Sequence, residues 1–291
     1  MDMKKGLVME GGAMRGMFTC GALDVFMENG ISFDAAVGVS AGATFGCNIK
    51  SGQMGRALRY NKKYCTDSRY HSIRSLITTG DIYNVEFCYD ILPYQLDKWD
   101  IEAFEKSPME FYCVATDVLT GRPVYHKCRD GRKEDITWIR ASASMPLVSR
   151  PVHIDGGLYL DGGTSDSIPL KFMEDKGCER ILVIETQPYD YMKGPQKLMP
   201  LIRTVYRNYP DMIKAMEDRH LIYNGEKSYV KEREKSGRVL VLRPREALNI
   251  NPIEKDPSEL QRVYELGREA ALQKLDRIKE FLSTGDQIQN G

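Results

Sequence analysis

Residues 38–42 read Gly-Val-Ser-Ala-Gly, a G-x-S-x-G that directly follows the apolar Ala35-Ala36-Val37 and precedes a small-residue helix start. A strand that reverses sharply into a helix needs glycine on both sides of the turn, because side chains there would clash. It leaves the serine at the tip, beside the helix N-terminus. The pattern makes Ser40 a candidate nucleophile whose hydroxyl is expected to be exposed, with Gly38 and Gly42 supporting the turn. The same pentapeptide also suits an ordinary strand-to-helix loop, so the chemistry has to be sought in further segments.

Residues 6–16 supply one: Gly-Leu-Val-Met-Glu-Gly-Gly-Ala-Met-Arg-Gly. An apolar strand runs into a glycine-rich turn and then a helix, and backbone N–H groups at such a turn suit an anion. A dinucleotide site fits poorly. Ala13 stands at the second glycine of G-x-G-x-x-G, and Asp34, about 20 residues on, falls at a strand start rather than a strand end. Beside a serine elbow, the turn reads as an oxyanion hole. The N–H groups around Gly11, Gly12 and Ala13 would stabilise the charge formed when Ser40 attacks a carbonyl.

A serine hydroxyl needs a base. The four histidines, His71, His126, His153 and His220, stand beside no glycine turn and in no obvious loop after a strand. The segment Tyr159-Leu160-Asp161-Gly162-Gly163 offers a carboxylate instead. A short strand delivers Asp161, two glycines leave room around it, and partial desolvation would raise its pKa toward the working range. Residues 155–157 are a second Asp-Gly-Gly. Asp161 is preferred, since Asp155-Gly156 suits the turn of a hairpin with strands at 151–154 and 158–160.

Together these segments resemble the patatin-like phospholipase family. Gly-Gly-Ala-Met-Arg-Gly (11–16, with Arg15 and Gly16) matches its oxyanion motif, Gly-Val-Ser-Ala-Gly its elbow, and Asp161-Gly162-Gly163 its D-G-[GA] motif. Arg-Ala-Ser-Ala-Ser-Met-Pro (140–146) resembles the segment preceding the family's catalytic aspartate. The resemblance implies a three-layer α/β/α fold with a mostly parallel central sheet. It also implies a Ser–Asp dyad without histidine, hydrolysis of lipid acyl esters through an acyl-enzyme, and no metal or cofactor. It covers residues 5–190. Ala13, where many members carry glycine, is expected to be tolerated, because its N–H survives and only a methyl is added.

Composition agrees with a globular enzyme. At 291 residues a sizeable core is available, and the chain is read as one patatin-like domain, 1–291, with an extension at 191–291 interpreted from composition alone. A formal net charge of zero gives no argument for nucleic acid. No apolar run approaches the ~20 residues of a membrane span. The start, Met-Asp-Met-Lys-Lys-Gly, leads into the first strand and does not read as a signal peptide. Seven cysteines without paired spacing suggest reduced thiols in a cytoplasmic protein, and the absence of a C-x-x-C or a His/Cys cluster argues against structural zinc.

Strands are expected at 6–10, 35–38, 111–117, 122–127, 158–160, 180–186 and 238–243. Helices are expected at 15–29, 41–51, 53–65, 134–143, 169–176, 197–224 and 257–283, and the final Gly285–Gly291 is expected to fray. Residues 53–84 carry Arg56, Arg59, Lys62, Lys63, Arg69 and Arg74 among Tyr60, Tyr64 and Tyr70. They read either as a cover that meets anionic lipid headgroups, with peripheral membrane contact, or as a solvated helix face. Helix 197–224 is open between lid and core. Three alternatives stay beside the hydrolase: an acyltransferase using the same dyad, an α/β-hydrolase triad with His220, and an inactive lipid-binding protein. Acyl chain, headgroup and oligomeric state are not readable.

Overall fold

Strands β1 (Lys5–Met9) and β2 (Ala35–Val39) carry apolar or small residues on both faces, and from Gly6 onward every residue in them is buried. Such strands are stable only where both faces of the sheet are covered. The computed structural model describes residues 3–283 and shows how this is met. Leu7, Met9 and Ala36 face one apolar cluster, together with α1 (Gly16–Glu28), α2 (Ala41–Lys50) and α3 (Arg56–Tyr64). Val8, Val37 and Val39 face the other, together with α7 (Leu170–Asp175) and α9 (Pro210–Lys235). The result is the expected three-layer α/β/α arrangement.

The sheet has eight strands. The others are β3 (Glu110–Asp117), β4 (Pro123–Cys128), β5 (Val152–Ile154), β6 (Gly157–Asp161), β7 (Arg180–Ile184) and β8 (Val239–Leu242). Its order is β5-β6-β3-β2-β1-β7-β8, with β4 also paired to β3. The five strands from β3 to β8 run parallel, and β4, β5 and β6 add antiparallel pairings at one side.

Register places the motifs. Met9 pairs with Gly38, so the turns that leave β1 and β2 emerge side by side at the carboxyl edge of the sheet, where ligands bind in open α/β sheets. Val39 pairs with Val114 and Asp161 with Ala115, the next residue of β3. The antiparallel β6 therefore ends just beyond β2, and Asp161 meets Ser40 without any long loop.

The expected strands are all present. Three helices in the 70–106 region were not anticipated: α4 (Ile73–Thr79), a π-helical coil (Phe87–Leu96) and α5 (Ile101–Lys106). The expected helix 197–224 is two helices, α8 (Met199–Val205) and α9, because Pro210 lacks the N–H a continuous helix needs and starts a new one instead. The expected helix 257–283 likewise divides into α10 (Pro257–Gln273) and α11 (Leu275–Ser283) at Lys274. Helix α6 (Lys133–Ala143) lies where expected. The segment expected to fray, Gly285–Gly291, lies outside the described residues.

Candidate active site

Ser40 connects β2 to α2 in a backbone conformation with φ +54° and ψ −120°. For a residue with a Cβ this is strained, a cost of order 1–3 kcal/mol that surrounding structure has to offset. The glycines explain how the turn closes. A Cβ on Gly38 would lie 2.3 Å from the Gly42 carbonyl oxygen, and one on Gly42 would lie 2.3 Å from that of Met9. The Ser40 N–H donates to Ser142 Oγ at 2.9 Å, which fixes the strained residue from the end of α6.

Ser40 Oγ donates to Asp161 Oδ2 at 2.6 Å. The other carboxylate oxygen, Oδ1, accepts the Gly163 N–H at 2.8 Å, and the Asp161 N–H donates to the Ser144 carbonyl at 2.8 Å. One segment, 142–144, thus holds both residues. Burial pushes the Asp161 carboxyl above its usual range, against the opposing pull of the Ser40 hydroxyl, the Arg219 charge, the Gly163 N–H and Lys193. A carboxylate raised in this way and already bonded to a hydroxyl can accept its proton.

The expected exposure of Ser40 is corrected: it is 7% exposed and Asp161 is 5% exposed. Ser40 lies at the junction of two cavities, one of which is also lined by residues 145–148 and by Met216, Arg219 and Tyr223 of α9. One is a mostly apolar chamber lined by Met14, Phe45, Tyr60, Tyr70, Tyr89 and Leu92. The other is a cleft of about 390 Å³, more polar than the chamber, reached by Asp161, Arg15, Lys193 and Arg219.

Gly11 sits against the serine, since a Cβ there would lie 3.0 Å from that of Ser40. Thr186 shapes the turn by donating its N–H to Glu10 Oε2 and its hydroxyl to the Gly11 carbonyl. Among the described residues the N–H groups of Gly11, Gly12 and Ala13 donate to no protein acceptor, which leaves them available to an oxyanion. Ala13 has φ +49°, so its methyl sits in the left-handed region, and the substitution for glycine adds backbone strain as well as a methyl. Gly16 lets α1 approach α2 closely, because a Cβ on it would lie 2.8 Å from that of Ala41.

Among the described residues no histidine bonds to this pair. His126 Nε2 bonds to Asp135 Oδ1 at 2.8 Å and its ring stacks on Trp138. His220 bonds to the Glu217 carbonyl of its own helix. His71 is buried among Tyr70 and Tyr83, and burial and the Lys255 charge pull it below its usual range. His153 lies exposed in β5. Asp155 lies with Gly156 in the β5–β6 hairpin turn, at φ +47° and +81°, as the two central residues of a type I′ turn require.

The basic stretch 53–84 and the cysteines find their places in the fold. Arg56 is buried, bonding to the Asp97 carbonyl and Asn48 Oδ1, while Arg59 pairs with Asp97 and Arg69 with Asp67. Arg59 and Arg69 remain more than half exposed, as a solvated face would have them, and the stretch meets the chamber through Tyr60 and Tyr70. The fold also gathers His126, Cys128 and Asp135, whose ligand atoms lie within 4.8 Å of one another, although the sequence shows no His/Cys cluster. Asp135 Oδ2 already accepts the N–H groups of Arg129, Asp130 and Gly131, an arrangement that serves to hold the turn between β4 and α6.

The residues missed in the sequence come from helix α9. Arg219 Nε donates to the Gly163 carbonyl at 2.6 Å, Tyr223 Oη to Glu10 Oε1 at 2.7 Å, and Glu226 accepts the Ser167 and Ile168 N–H groups. The helix is neither plain lid nor plain core, since it ties together the two turns that flank Ser40. Their chemistry-bearing residues recur at three- or four-residue spacing, a signal hidden in a helix whose polar residues circle it.

Residues 7–173 match the family model of the patatin-like phospholipases, and residues 209–283 match a domain of unknown function (DUF6363). An uncharacterized protein of Escherichia coli, YjjU, is 33% identical over 65% of this chain and 54% of its own length. A lysophospholipase, nte1, of Aspergillus oryzae is 28% identical over 64% of this chain and 12% of its own. The chain therefore spans about half of one relative and a small part of the other. VipD from Legionella pneumophila superposes with a TM-score of 0.47 at 12% identity, covering 95% of this chain and 67% of that one. Matched over more than half of its length, the chain belongs to the patatin-like phospholipase family.

Proposed function

We propose that the protein is a serine acyl hydrolase that cleaves fatty-acyl esters of lipids through Ser40 and Asp161. The observation that carries this is the 2.6 Å hydrogen bond from Ser40 Oγ to a buried carboxylate, with unbonded N–H groups alongside. Asp161 takes the Ser40 proton as Oγ attacks the ester carbonyl carbon. The oxyanion sits against the N–H groups of Gly11, Gly12 and Ala13, where loss of one donor typically costs about 10²–10³ in rate. As the tetrahedral species collapses, Asp161 returns the proton to the departing alcohol. The same carboxylate then takes a proton from water, which attacks the acyl-enzyme and releases the fatty acid.

The apolar chamber suits the acyl chain, and the polar cleft on the Asp161 side suits the alcohol half. The name of the nte1 relatives, lysophospholipase, supports a lipid ester as substrate. Leu198, Leu201 and Val205 form an exposed apolar stripe along α8, and Leu198 also lines the cleft. The stripe continues into the cleft, which favours uptake from a lipid surface, with peripheral contact and no span; no helix among the described residues is long and apolar enough to cross a membrane. Residues 1–291 act as one unit in this reading, because α9 holds the turns of the matched family segment.

The experiment is labelling with a fluorophosphonate probe, followed by peptide mapping. Modification should fall on Ser40 and disappear in Ser40→Ala, together with ester hydrolysis. Full activity in a folded Ser40→Ala protein would end the assignment.

A further inference from the structure

Three cations meet at the cleft beside Ser40 and Asp161. Arg15 comes from the turn before α1, Lys193 from the loop after β7, and Arg219 from α9. None of them lies within 4.0 Å of a carboxylate oxygen among the described residues. All three are half-buried, and Arg219 has the Gly163 carbonyl as its acceptor. Charges withdrawn from water are normally paired, as the fully buried Lys227 of α9 is with Glu185, which also holds Arg243.

The nearby carboxylates do not supply the missing partner. Asp161 feels the charges of Arg219 and Lys193, but its two oxygens are bonded by the Ser40 hydroxyl and the Gly163 N–H, and it forms no ion pair with any of the three. Glu10 is already bonded by Tyr223 and Thr186, and burial beside Glu185 pushes it toward its neutral form. Glu226 faces the backbone of Ser167 and Ile168. Arg15 Nε is buried without a hydrogen-bond partner. The Lys193 ammonium has aromatic faces beside it, with Tyr223 4.4 Å away. Burial and the charges of Arg219 and Arg15 bring Lys193 down to about 8, against the pull of Glu10 and Glu226.

The position of the cluster gives it a role. The apolar chamber and the cationic cleft share Ala13, Ser40 and Met145, so they open from the nucleophile in different directions. Asp161, which would protonate the departing alcohol, lines the cationic cleft and not the chamber. An ester with its acyl chain in the chamber directs its alcohol half toward the three cations.

We propose that Arg15, Lys193 and Arg219 bind a phosphate on the alcohol half of the ester, so that the substrate is an acyl ester of a glycerol phosphate whose headgroup carries no compensating cation. This rests on the hydrolase reading above. A choline or ethanolamine headgroup would bring an ammonium to a wall whose carboxylates, Glu10 and Asp161, are already hydrogen-bonded within the protein. Lys193 and Arg219 both lie beyond residues 7–173, so two of the three cations come from the C-terminal part of the chain.

The test compares two soluble esters with the same short acyl chain, one on glycerol 3-phosphate and one on glycerol, below micelle formation. The parent should show a higher kcat/KM on the phosphate ester. Lys193→Met should lower the ratio of the two values by roughly tenfold or more, the scale of a lost charge-assisted hydrogen bond, and Lys193→Arg should restore it. Any effect of Lys193 on Asp161 is common to both esters and cancels in the ratio. Equal rates in the parent, or a ratio unmoved by Lys193→Met, would overturn the proposal.

A second arm needs no turnover. Glycerol 3-phosphate titrated calorimetrically into Ser40→Ala should bind, and the added Lys193→Met should weaken it. If inorganic phosphate binds equally well and the parent shows no ester preference, the site serves free phosphate and the headgroup proposal fails. If the parent hydrolyses neither ester while Ser40→Ala binds glycerol 3-phosphate, the phosphate site stands and the hydrolase reading falls.

Discussion

Arg219 Nε donates to the carbonyl of Gly163 at 2.6 Å, from a helix that begins 47 residues after that glycine. Gly163 in turn gives its N–H to Asp161 Oδ1. A cation of the C-terminal segment therefore braces the turn that carries the proposed base, and also biases that base toward its charged form.

The charge of Arg219 should be visible in the pH profile. Asp161 acts as a base only when ionised, and burial holds its carboxyl above the usual aspartate range, while Ser40, Arg219, the Gly163 N–H and Lys193 pull it down. Activity should rise with pH through that raised value. Arg219→Gln keeps a donor for Gly163 but removes a charge that favours the carboxylate. The acid limb of kcat/KM should then move to higher pH, and an unmoved limb would show that Asp161 does not feel this charge.

The two Asp-Gly-Gly segments should separate cleanly. Asp161→Asn should reduce turnover by about 10²–10⁴, the usual loss for a general base. Asp155→Asn should be nearly silent in both activity and melting temperature, because asparagine tolerates the positive φ that residue 155 adopts. Steady-state rates and thermal melts of the two variants decide it, and the reverse outcome would transfer the base to residue 155.

Ser142 should matter without touching substrate. Ser142→Ala leaves the buried N–H of Ser40 without an acceptor, a loss of about 1–3 kcal/mol, at a residue already strained at φ +54°. Denaturant unfolding should show that loss, and kcat should fall more than KM changes. Normal kcat with normal stability would mean that Ser40 keeps its conformation unaided.

Ala13→Gly should stabilise the protein by up to about 1 kcal/mol, because glycine adopts the observed φ of +49° without strain. For a chain of this size that amounts to roughly 2–4 °C in Tm. The N–H remains, so turnover should not fall. A lower Tm would show that the alanine methyl makes a packing contribution larger than the strain.

Replacing His220 by alanine should leave turnover within about tenfold of the parent, since its ring nitrogen bonds only to its own helix. A collapse of activity with an unchanged melting curve would restore a histidine-dependent mechanism.

The local motifs were legible because each is a short-range steric necessity. Gly38 and Gly42 are needed where two backbones nearly touch, and the Gly11–Ala13 turn follows directly from the end of a buried strand. Apolar runs such as Leu7-Val8-Met9 and Ile181-Leu182-Val183-Ile184 state by themselves that both faces of the sheet are covered. Periodicity placed the helices of the layers but could not see the break at Pro210 or the helices between 73 and 106.

What the sequence alone determined was the alternation of strands and helices, and the glycine-bounded positions of Ser40 and Asp161. Only the tertiary structure decided that Ser40 is buried, that Ser142 and Ser144 hold the pair, and that Arg219, Tyr223 and Glu226 of α9 fasten the turns around it. The physical reason is range. Turn sterics act between neighbouring residues and leave a mark in the local sequence, whereas a hydrogen bond across 102 residues from Ser40 to Ser142 depends on strand register and leaves none.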